Sequence, residues 1–156
     1  MTETNDQPPL ESDFGWALRA ISMHFQSEAG AAVSDLPSGG RGYLVLLAAG
    51  EHSGQSQLAL ARRLGLDKTV MTYLVDALVD HGLIAREPDP ADRRIRQLVL
   101  TAQGRTRLDL ARAHIAAVEE RLLAPLAAAD AARFRSMIAA VAASTSTGAK
   151  PDCDPS

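Results

Sequence analysis

One short stretch of this 156-residue chain groups polar side chains on a single face of a predicted helix. In the helix predicted over residues 68–81, that face carries Thr69, Thr72, Tyr73 and Asp76, with Lys68 at the N-terminal end. The opposite, apolar face carries Met71, Leu74, Val75 and Leu78. Short donors and acceptors near the start of a helix can reach base edges when the helix enters the major groove of DNA. The solvated face of an ordinary helix is the alternative interpretation of this segment alone.

A second group of charges lies in a predicted turn further along the chain. Residues 88–92 contain two prolines and must form a turn. They separate residues 84–87 from residues 95–100, whose alternating side chains predict the two strands of a hairpin. Asp92, Arg93 and Arg94 then lie at the tip, where an arginine can enter a narrow minor groove. A solvated charged turn is the alternative.

Basic side chains are concentrated in the middle of the chain. The whole chain has a net charge of −3, but residues 57–107 hold nine Lys and Arg against six Asp and Glu. Two of these, Arg62 and Arg63, end the helix that precedes the 68–81 segment and suit phosphate contacts that position a protein without specifying a sequence. Solvated helix ends are the alternative. A DNA duplex would therefore meet the middle third of the chain.

The apolar periodicity predicts helices on both sides of these segments. Phe14, Leu18, Ile21 and Phe25 form one stripe of a helix over residues 11–33. After a loop at 37–42, we expect a short helix over 43–49 closed by Gly50, then one from about 55 to 64 capped by Ser53 or Ser56 and ended by Gly65. Asp67 caps the 68–81 helix, which Gly82 ends. Thr101 opens the longest helix, to about residue 123, and Asp130 caps the last.

The order of these elements predicts the fold class. Four helices, a two-stranded hairpin, a long helix and a final helix give a mainly α fold with a small β-hairpin wing. We interpret residues 43–101 as a winged helix-turn-helix and residues 11–33 and 101–143 as a helical dimerisation frame, all within one domain over 11–143. Residues 1–10 and 144–156 are small, polar and rich in proline, which predicts disordered tails.

The segment 55–104 resembles the MarR (multiple antibiotic resistance regulator) family. Three parts occur in the family's order: the Leu-Gly-Leu-Asp-Lys turn at 64–68, the Leu-Val-Asp-x-Leu helix with Gly-Leu-Ile at 74–84, and the Asp-Arg-Arg wing at 92–94 followed by Leu-Thr. The resemblance implies a sequence-specific regulator that binds double-stranded DNA, with repression as the commonest mode. The alternative is a dimeric winged-helix module that binds another protein and has no operator specificity.

The resemblance also implies roles for individual side chains. In the family, an aspartate at the wing braces an arginine for insertion into the minor groove. By this resemblance, Asp92 braces Arg94, and Arg93 contacts a phosphate. The family often has a long polar residue where Tyr73 stands, and a tyrosine reads bases less sharply than a bidentate arginine. Asp76 is unusual on a surface that faces DNA, so we expect it to pair with Arg86 or Arg96 of its own subunit.

The long helix carries an apolar seam typical of lengthwise packing on a partner. Its positions step by three and four residues: Leu108, Ala111, Ile115, Val118 and Leu122. Together with the stripes at 14–25 and 134–141, this seam predicts a homodimer, with packing within one chain as the alternative. The family pattern then places two recognition helices roughly 34 Å apart on a pseudo-palindromic site.

Regulators that resemble this chain often bind a small aromatic acid between the dimer frame and the DNA-binding lobe. We predict that such a site is lined by Trp16, Arg19, Met23, His24 and Tyr43. Together these residues offer the aromatic surface, the cation and the titratable group that an anionic aromatic ligand requires. Core or interface roles for these side chains are the alternative.

Other functional classes lack a signal in the sequence. No nucleophile elbow, phosphate loop or dinucleotide fingerprint is present, so we expect neither an enzyme nor a cofactor. The histidines (His24, His52, His81 and His114) have no metal-ligand spacing. The single cysteine, Cys153, excludes an internal disulfide and does not lie where peroxide-sensing relatives carry theirs. With no signal peptide and no apolar run of about 18 residues, we expect a cytoplasmic protein without a membrane span.

Overall fold

Helices make up most of the computed structural model, which describes residues 9–51 and 54–146. A 3-10 turn at Leu10–Ser12 precedes the first α-helix. The elements in chain order are α1 (Phe14–Ala32), α2 (Gly39–Glu51), β1 (Gln55–Ser56), α3 (Gln57–Leu64), α4 (Lys68–Asp80), β2 (Ile84–Pro88), β3 (Arg96–Leu100), α5 (Ala102–Leu123) and α6 (Ala128–Ser146). The predicted class, mainly α with a small hairpin wing, is confirmed.

Two predicted helix starts were wrong by two or three residues. Helix α1 begins at Phe14, because the Asp13 carboxylate accepts a hydrogen bond from the Trp16 amide at 2.7 Å and caps the helix. Helix α6 begins at Ala128, so Asp130 lies within its first turn, where a negative charge favours the helix dipole.

The predicted tails were each slightly too long. Leu10 begins the 3-10 turn, and α6 continues to Ser146, so residues 144–146 are helical. The remaining tail residues, 1–8 and 147–156 with Cys153, lie outside the described residues, as do His52 and Ser53.

Helix α2 is longer than predicted at both ends. The glycine-rich segment before Tyr43 is the first turn of this helix and not a loop, and the helix passes Gly50 to reach Glu51. Ser38 and Gly39 both have left-handed backbone angles, with φ of 63° and 54°, which turn the chain sharply into α2. A Cβ on Gly42 would lie 1.9 Å from the Pro37 carbonyl oxygen, so the glycine permits close packing of the turn on the helix.

The sheet has three antiparallel strands in the order β1-β3-β2, one more than predicted. β2 pairs with β3 from Ile84 opposite Leu100 to Pro88 opposite Arg96. β1 adds only two residues, with Gln55 opposite Leu98. Two residues are too few for an alternating pattern, so this strand had no sequence signal. Ser56 then caps α3 by accepting from the Ala59 amide at 3.2 Å, as one of the two predicted caps.

The core joins α2, α3, α4, α5 and the sheet. Its most deeply buried side chains are Val33, Val45, Leu46, Leu60, Met71, Val75, Leu78, Ile84 and Leu98. The predicted inward face of α4 is confirmed, since Met71, Leu74, Val75 and Leu78 are all at most 3% exposed. Leu108 and Ala111 of the α5 seam belong to the same core. Helix α1, in contrast, has no buried residue.

The two glycines Gly104 and Gly30 provide a matched test of this packing. A Cβ on Gly104 would lie 1.9 Å from the Leu83 carbonyl oxygen, whereas a Cβ on Gly30 meets nothing within 4 Å. We expect Gly104→Ala to lower the free energy of unfolding by about 3 kcal/mol, because overpacking forces the backbone to move. Gly30→Ala should raise it by up to about 1 kcal/mol through helix propensity. Urea unfolding followed by circular dichroism measures both, and equal effects would contradict the described packing.

Candidate nucleic-acid interface

Helices α3 and α4 form a helix-turn-helix held by backbone and cap hydrogen bonds. Gly65 ends α3 in the left-handed conformation with φ of 63°, and the Leu66 amide donates to the Ala61 carbonyl at 2.9 Å. Asp67 then caps α4, accepting from the amides of Thr69 at 2.7 Å and Val70 at 3.4 Å. These bonds stabilise the carboxylate and hold the pKa of Asp67 below its ordinary value of 3.8.

The predicted polar face of α4 is exposed and continuous. Lys68, Thr69, Thr72, Tyr73 and Asp76 are all solvent-exposed, and Tyr73 is 73% exposed. Thr72 is held in place, since its hydroxyl donates to the Lys68 carbonyl at 2.9 Å and accepts from the Gln57 amide at 2.9 Å. Gln57 therefore adds a polar group from α3 to this face. This role of Gln57 was not predicted from the sequence, because the contact joins residues fifteen positions apart.

Asp76 forms an ion pair with Arg86, which confirms one of the two predicted partners. The pair joins α4, the predicted recognition helix, to β2 of the wing. It also neutralises the carboxylate that would otherwise repel a phosphate on this surface.

The wing tip is a turn organised by two aspartates. The Asp89 carboxylate accepts a hydrogen bond from the Ala91 amide at 2.7 Å. This bond, and a second one from the Gln97 side chain, lower the pKa of Asp89. The Asp92 carboxylate accepts from the Arg94 backbone amide at 3.0 Å. Asp92 therefore holds the backbone of Arg94, and the proposed bracing of this arginine for insertion stays a prediction. Within the described ranges, the guanidinium groups of Arg93 and Arg94 have no ion pair and are exposed.

The two arginines at the end of α3 have different surroundings. Arg63 forms an ion pair with Glu51 at the end of α2, whereas no ion pair involves Arg62 in the part of the chain that the structure describes. Both partners of the Arg63 pair are about two-fifths exposed, at 43% and 40%, so the pair is weak and a phosphate can replace its carboxylate.

A cavity of about 620 Å³ lies between α1, α2 and α5. It is lined by Phe25, Gln26, Ala29, Gly30, Val33, Ser38, Gly40, Arg41, Tyr43, Leu44 and Ile115. Burial raises the pKa of Tyr43, with the Arg112 guanidinium acting in the opposite direction.

The structure does not bring the five predicted lining residues together around this cavity. Tyr43 lines it, but Trp16, Arg19, Met23 and His24 lie nearer the start of α1 and do not. Trp16 precedes Ala29 by thirteen residues, about 20 Å along the axis, whereas Met23 and His24 directly precede the lining residue Phe25 but lie on other faces of the helix. The sequence missed Arg41, the cation that does line the cavity.

Comparison with known proteins identifies the family. Residues 42–95 match the sequence model of the MarR family. Over 96 residues the chain is 30% identical to the transcriptional regulator HosA of Escherichia coli O111:H-, covering 62% of this chain and 71% of HosA. The chain belongs to the MarR family. It is a DNA-binding transcriptional regulator, and this is a family of regulators and not of enzymes.

Longer matches extend the MarR likeness over most of the chain. The HTH-type transcriptional repressor Rv2887 of Mycobacterium tuberculosis is 29% identical over 133 residues, which is 85% of this chain and 93% of Rv2887. Its crystal structure in complex with DNA has a TM-score of 0.73 and 27% identity, covering 83% of this chain and 98% of that one. Rv2887 has also been solved with salicylic acid, at a TM-score of 0.67 and 27% identity, covering 87% of this chain and 98% of that one.

A further similar structure is that of CouR from Rhodococcus jostii RHA1, bound to p-coumaroyl-CoA. It has a TM-score of 0.74 and 28% identity, covering 87% of this chain and 96% of that one. No helix within residues 9–51 and 54–146 has both the length and the apolar character needed to cross a membrane.

The charge on the Asp67 cap gives this MarR helix-turn-helix a pH-dependent stability. A group whose folded pKa is lowered adds stability above its unfolded pKa, here near 3.8, and loses it as the pH falls through the folded value. We expect Asp67→Asn, which keeps a neutral cap, to melt below the wild type at neutral pH. The gap should close as the pH falls from about 4 toward about 2. Asp67→Ala should melt below both. Thermal melts across this range measure the gap, and a gap independent of pH would contradict the assignment.

Proposed function

We propose that this protein represses transcription by binding a pseudo-palindromic operator as a homodimer. The observation that carries the proposal is the exposed polar face of α4 next to a wing whose two tip arginines have no ion pair among the described residues. Support for repression comes from Rv2887, a relative named as a repressor. A regulator that binds DNA acts where the chromosome lies, so we place the protein in the cytoplasm.

The side chains of α4 divide between base and backbone contacts in this proposal. Thr69 and Tyr73 face the bases, and Thr72 is oriented by Gln57 for the same purpose. Lys68, with Arg62 and Arg63 at the end of α3, binds phosphates. The tyrosine hydroxyl donates to only one acceptor, so we expect tolerance of more than one base at its position.

The wing supplies the second contact with DNA. Arg94 enters the minor groove, and Arg93 binds a phosphate at its edge. Asp92 contributes by fixing the turn through the Arg94 amide, which sets the direction of the side chain.

The homodimer is supported by apolar surface that one chain leaves uncovered. Large side chains of α1 and α6 are exposed: Phe14 by 80%, Leu18 by 49%, Met23 by 57%, Met137 by 59% and Val141 by 62%. A further apolar cavity of about 490 Å³ opens between α1, α5 and α6, lined in part by Leu18, Phe25 and Ile138. Monomeric proteins rarely leave large apolar areas exposed, so we infer that a second copy covers the faces of α1 and α6 that border this cavity.

The cavity around Tyr43 is the site we propose for an aromatic acid that releases the operator. Phe25, Leu44 and Ile115 offer apolar contacts for a ring, and Arg41 offers a cation for a carboxylate. The complex of Rv2887 with salicylic acid supports a ligand of this kind, whereas that of CouR with p-coumaroyl-CoA, a thioester without a free carboxylate, supports only an aromatic group. Trp16, Arg19, Met23 and His24, predicted from the sequence, have no part in the lining formed by this chain.

Arg94→Ala tests the contribution of the wing. We expect operator affinity to fall by about 10- to 100-fold, the usual loss for an arginine that contacts DNA directly. The melting temperature should not change, since the guanidinium has no ion pair among the described residues. Fluorescence anisotropy on a selected operator measures the affinity, with Arg105→Ala on α5 as a matched control. Equal affinities of Arg94→Ala and wild type would remove the wing from the mechanism.

Gly30→Leu tests the cavity. Space around the Gly30 Cβ position is open, so the new side chain fills the cavity without a clash at its base. With salicylate as the probe, we expect operator binding by the wild type to weaken and that by Gly30→Leu to stay constant, while Gly30→Ala keeps most of the response. Anisotropy with and without salicylate measures this. A full response in Gly30→Leu, or none in the wild type, would contradict the assignment.

A further inference from the structure

Arg41 lies where two concave surfaces of this chain meet. The first is the cavity around Tyr43 described above. The second is an open depression between the start of α2 and the recognition helix, lined by Ser38, Arg41, Thr69, Val70, Tyr73 and Leu74. Ser38 and Arg41 line both surfaces, and Arg41 is the charged one of the two.

The Arg41 side chain is free to serve either surface. It is exposed, and neither an ion pair nor a side-chain hydrogen bond holds its guanidinium within the described residues. Arg86, in contrast, has a carboxylate partner in Asp76, and Arg63 has one in the exposed, weaker pair with Glu51. An unpaired guanidinium can form an ion pair with an anion bound at either surface.

The backbone that carries Arg41 is fixed even though the side chain is free. Ser38 holds a left-handed φ of 63°, which is unfavourable for a residue with a Cβ and persists only where the surroundings impose it. The Gly39 amide donates to the Leu36 carbonyl at 2.9 Å, and the Gly42 amide to the Ser38 carbonyl at 3.4 Å. The turn therefore places the Cα of Arg41 at a defined point in the first turn of α2.

The second surface faces the proposed DNA contacts directly. Thr69 and Tyr73 belong both to that depression and to the polar face of α4. A recognition helix in the major groove is bordered by phosphates on both edges of the groove, and a cation beside the helix meets one of them. Arg41 occupies such a position, on the α2 side of α4.

We propose that Arg41 binds a DNA phosphate beside the recognition helix, and that the carboxylate of an aromatic acid in the cavity competes with this phosphate for the same guanidinium. This inference rests on the proposed function of the cavity. One guanidinium cannot neutralise both anions, so acid and operator compete at Arg41 by local electrostatics. By linkage, each ligand weakens the binding of the other by the same factor.

The test compares wild type, Arg41→Gln, Arg41→Lys and the control Arg105→Gln in operator titrations at several salt concentrations, with and without salicylate. Loss of one phosphate contact in each subunit of a dimer makes the slope of log affinity against log salt shallower by about 1.8. Between about 50 and about 200 mM salt, Arg41→Gln should therefore lose about tenfold less affinity than the wild type. Arg41→Lys and Arg105→Gln should keep the wild-type slope.

The arms with salicylate test whether the cation is shared. We expect salicylate to weaken operator binding by the wild type and to leave the residual binding of Arg41→Gln unchanged. An unchanged salt slope in Arg41→Gln would overturn the phosphate contact, and equal loss of slope in Arg41→Lys would show a merely structural role. If salicylate fully releases Arg41→Gln from the operator, the proposed competition for the guanidinium is overturned, but the phosphate contact is not. A wild type that does not respond to salicylate would overturn the cavity proposal and the sharing together, while the salt slopes still decide the phosphate contact.

Discussion

The burial of Met71, Leu74, Val75 and Leu78 sets the rotation of α4 about its own axis, and the proposed DNA-binding surface depends on that rotation. These four side chains are at most 3% exposed, so the helix cannot turn without breaking the core. Because side chains of a helix repeat every 3.6 residues, fixing the apolar face inward leaves Thr69, Thr72 and Tyr73 on the exposed face. The Asp67 cap and the Gly65 turn set where the helix begins, and the Asp76–Arg86 pair ties it to the wing.

The long helix α5 connects this DNA-binding lobe to α1. At its start, the Thr101 hydroxyl donates to the Gly82 carbonyl at 2.6 Å and accepts from the Gly104 amide at 2.9 Å, which joins α5 to the end of α4 and the start of β2. Further along, Arg107 pairs with Asp35 at 2.6 Å, and Arg121 pairs with Glu28 at 3.4 Å. The cavity between α1, α2 and α5 thus adjoins the elements that hold the recognition helix, so a ligand there can act on α4 through packing as well as through charge.

Local sequence signals predicted the elements whose ends are determined by neighbouring residues. Asp67, Gly65 and Thr101 cap helices through contacts two to four positions away. Pro88 ends β2, and Pro90 lies in the hairpin turn that follows. Features that depend on distant residues were not predictable in this way. Strand β1 exists because Gln55 meets Leu98, Gln57 joins the polar face because it meets Thr72, and α2 begins at Gly39 because Gly42 packs on Pro37. The cavity lining likewise depends on how three helices pack.

We propose that two copies of this chain present α4 and the wing to one duplex. Binding sites selected from fragmented genomic DNA, and the mass of the purified complex measured by sedimentation, provide the decisive test. We expect one enriched pseudo-palindrome with half-sites about 10 base pairs apart, bound by two chains per duplex. Enrichment of no site, or a complex of one chain per duplex, would contradict it.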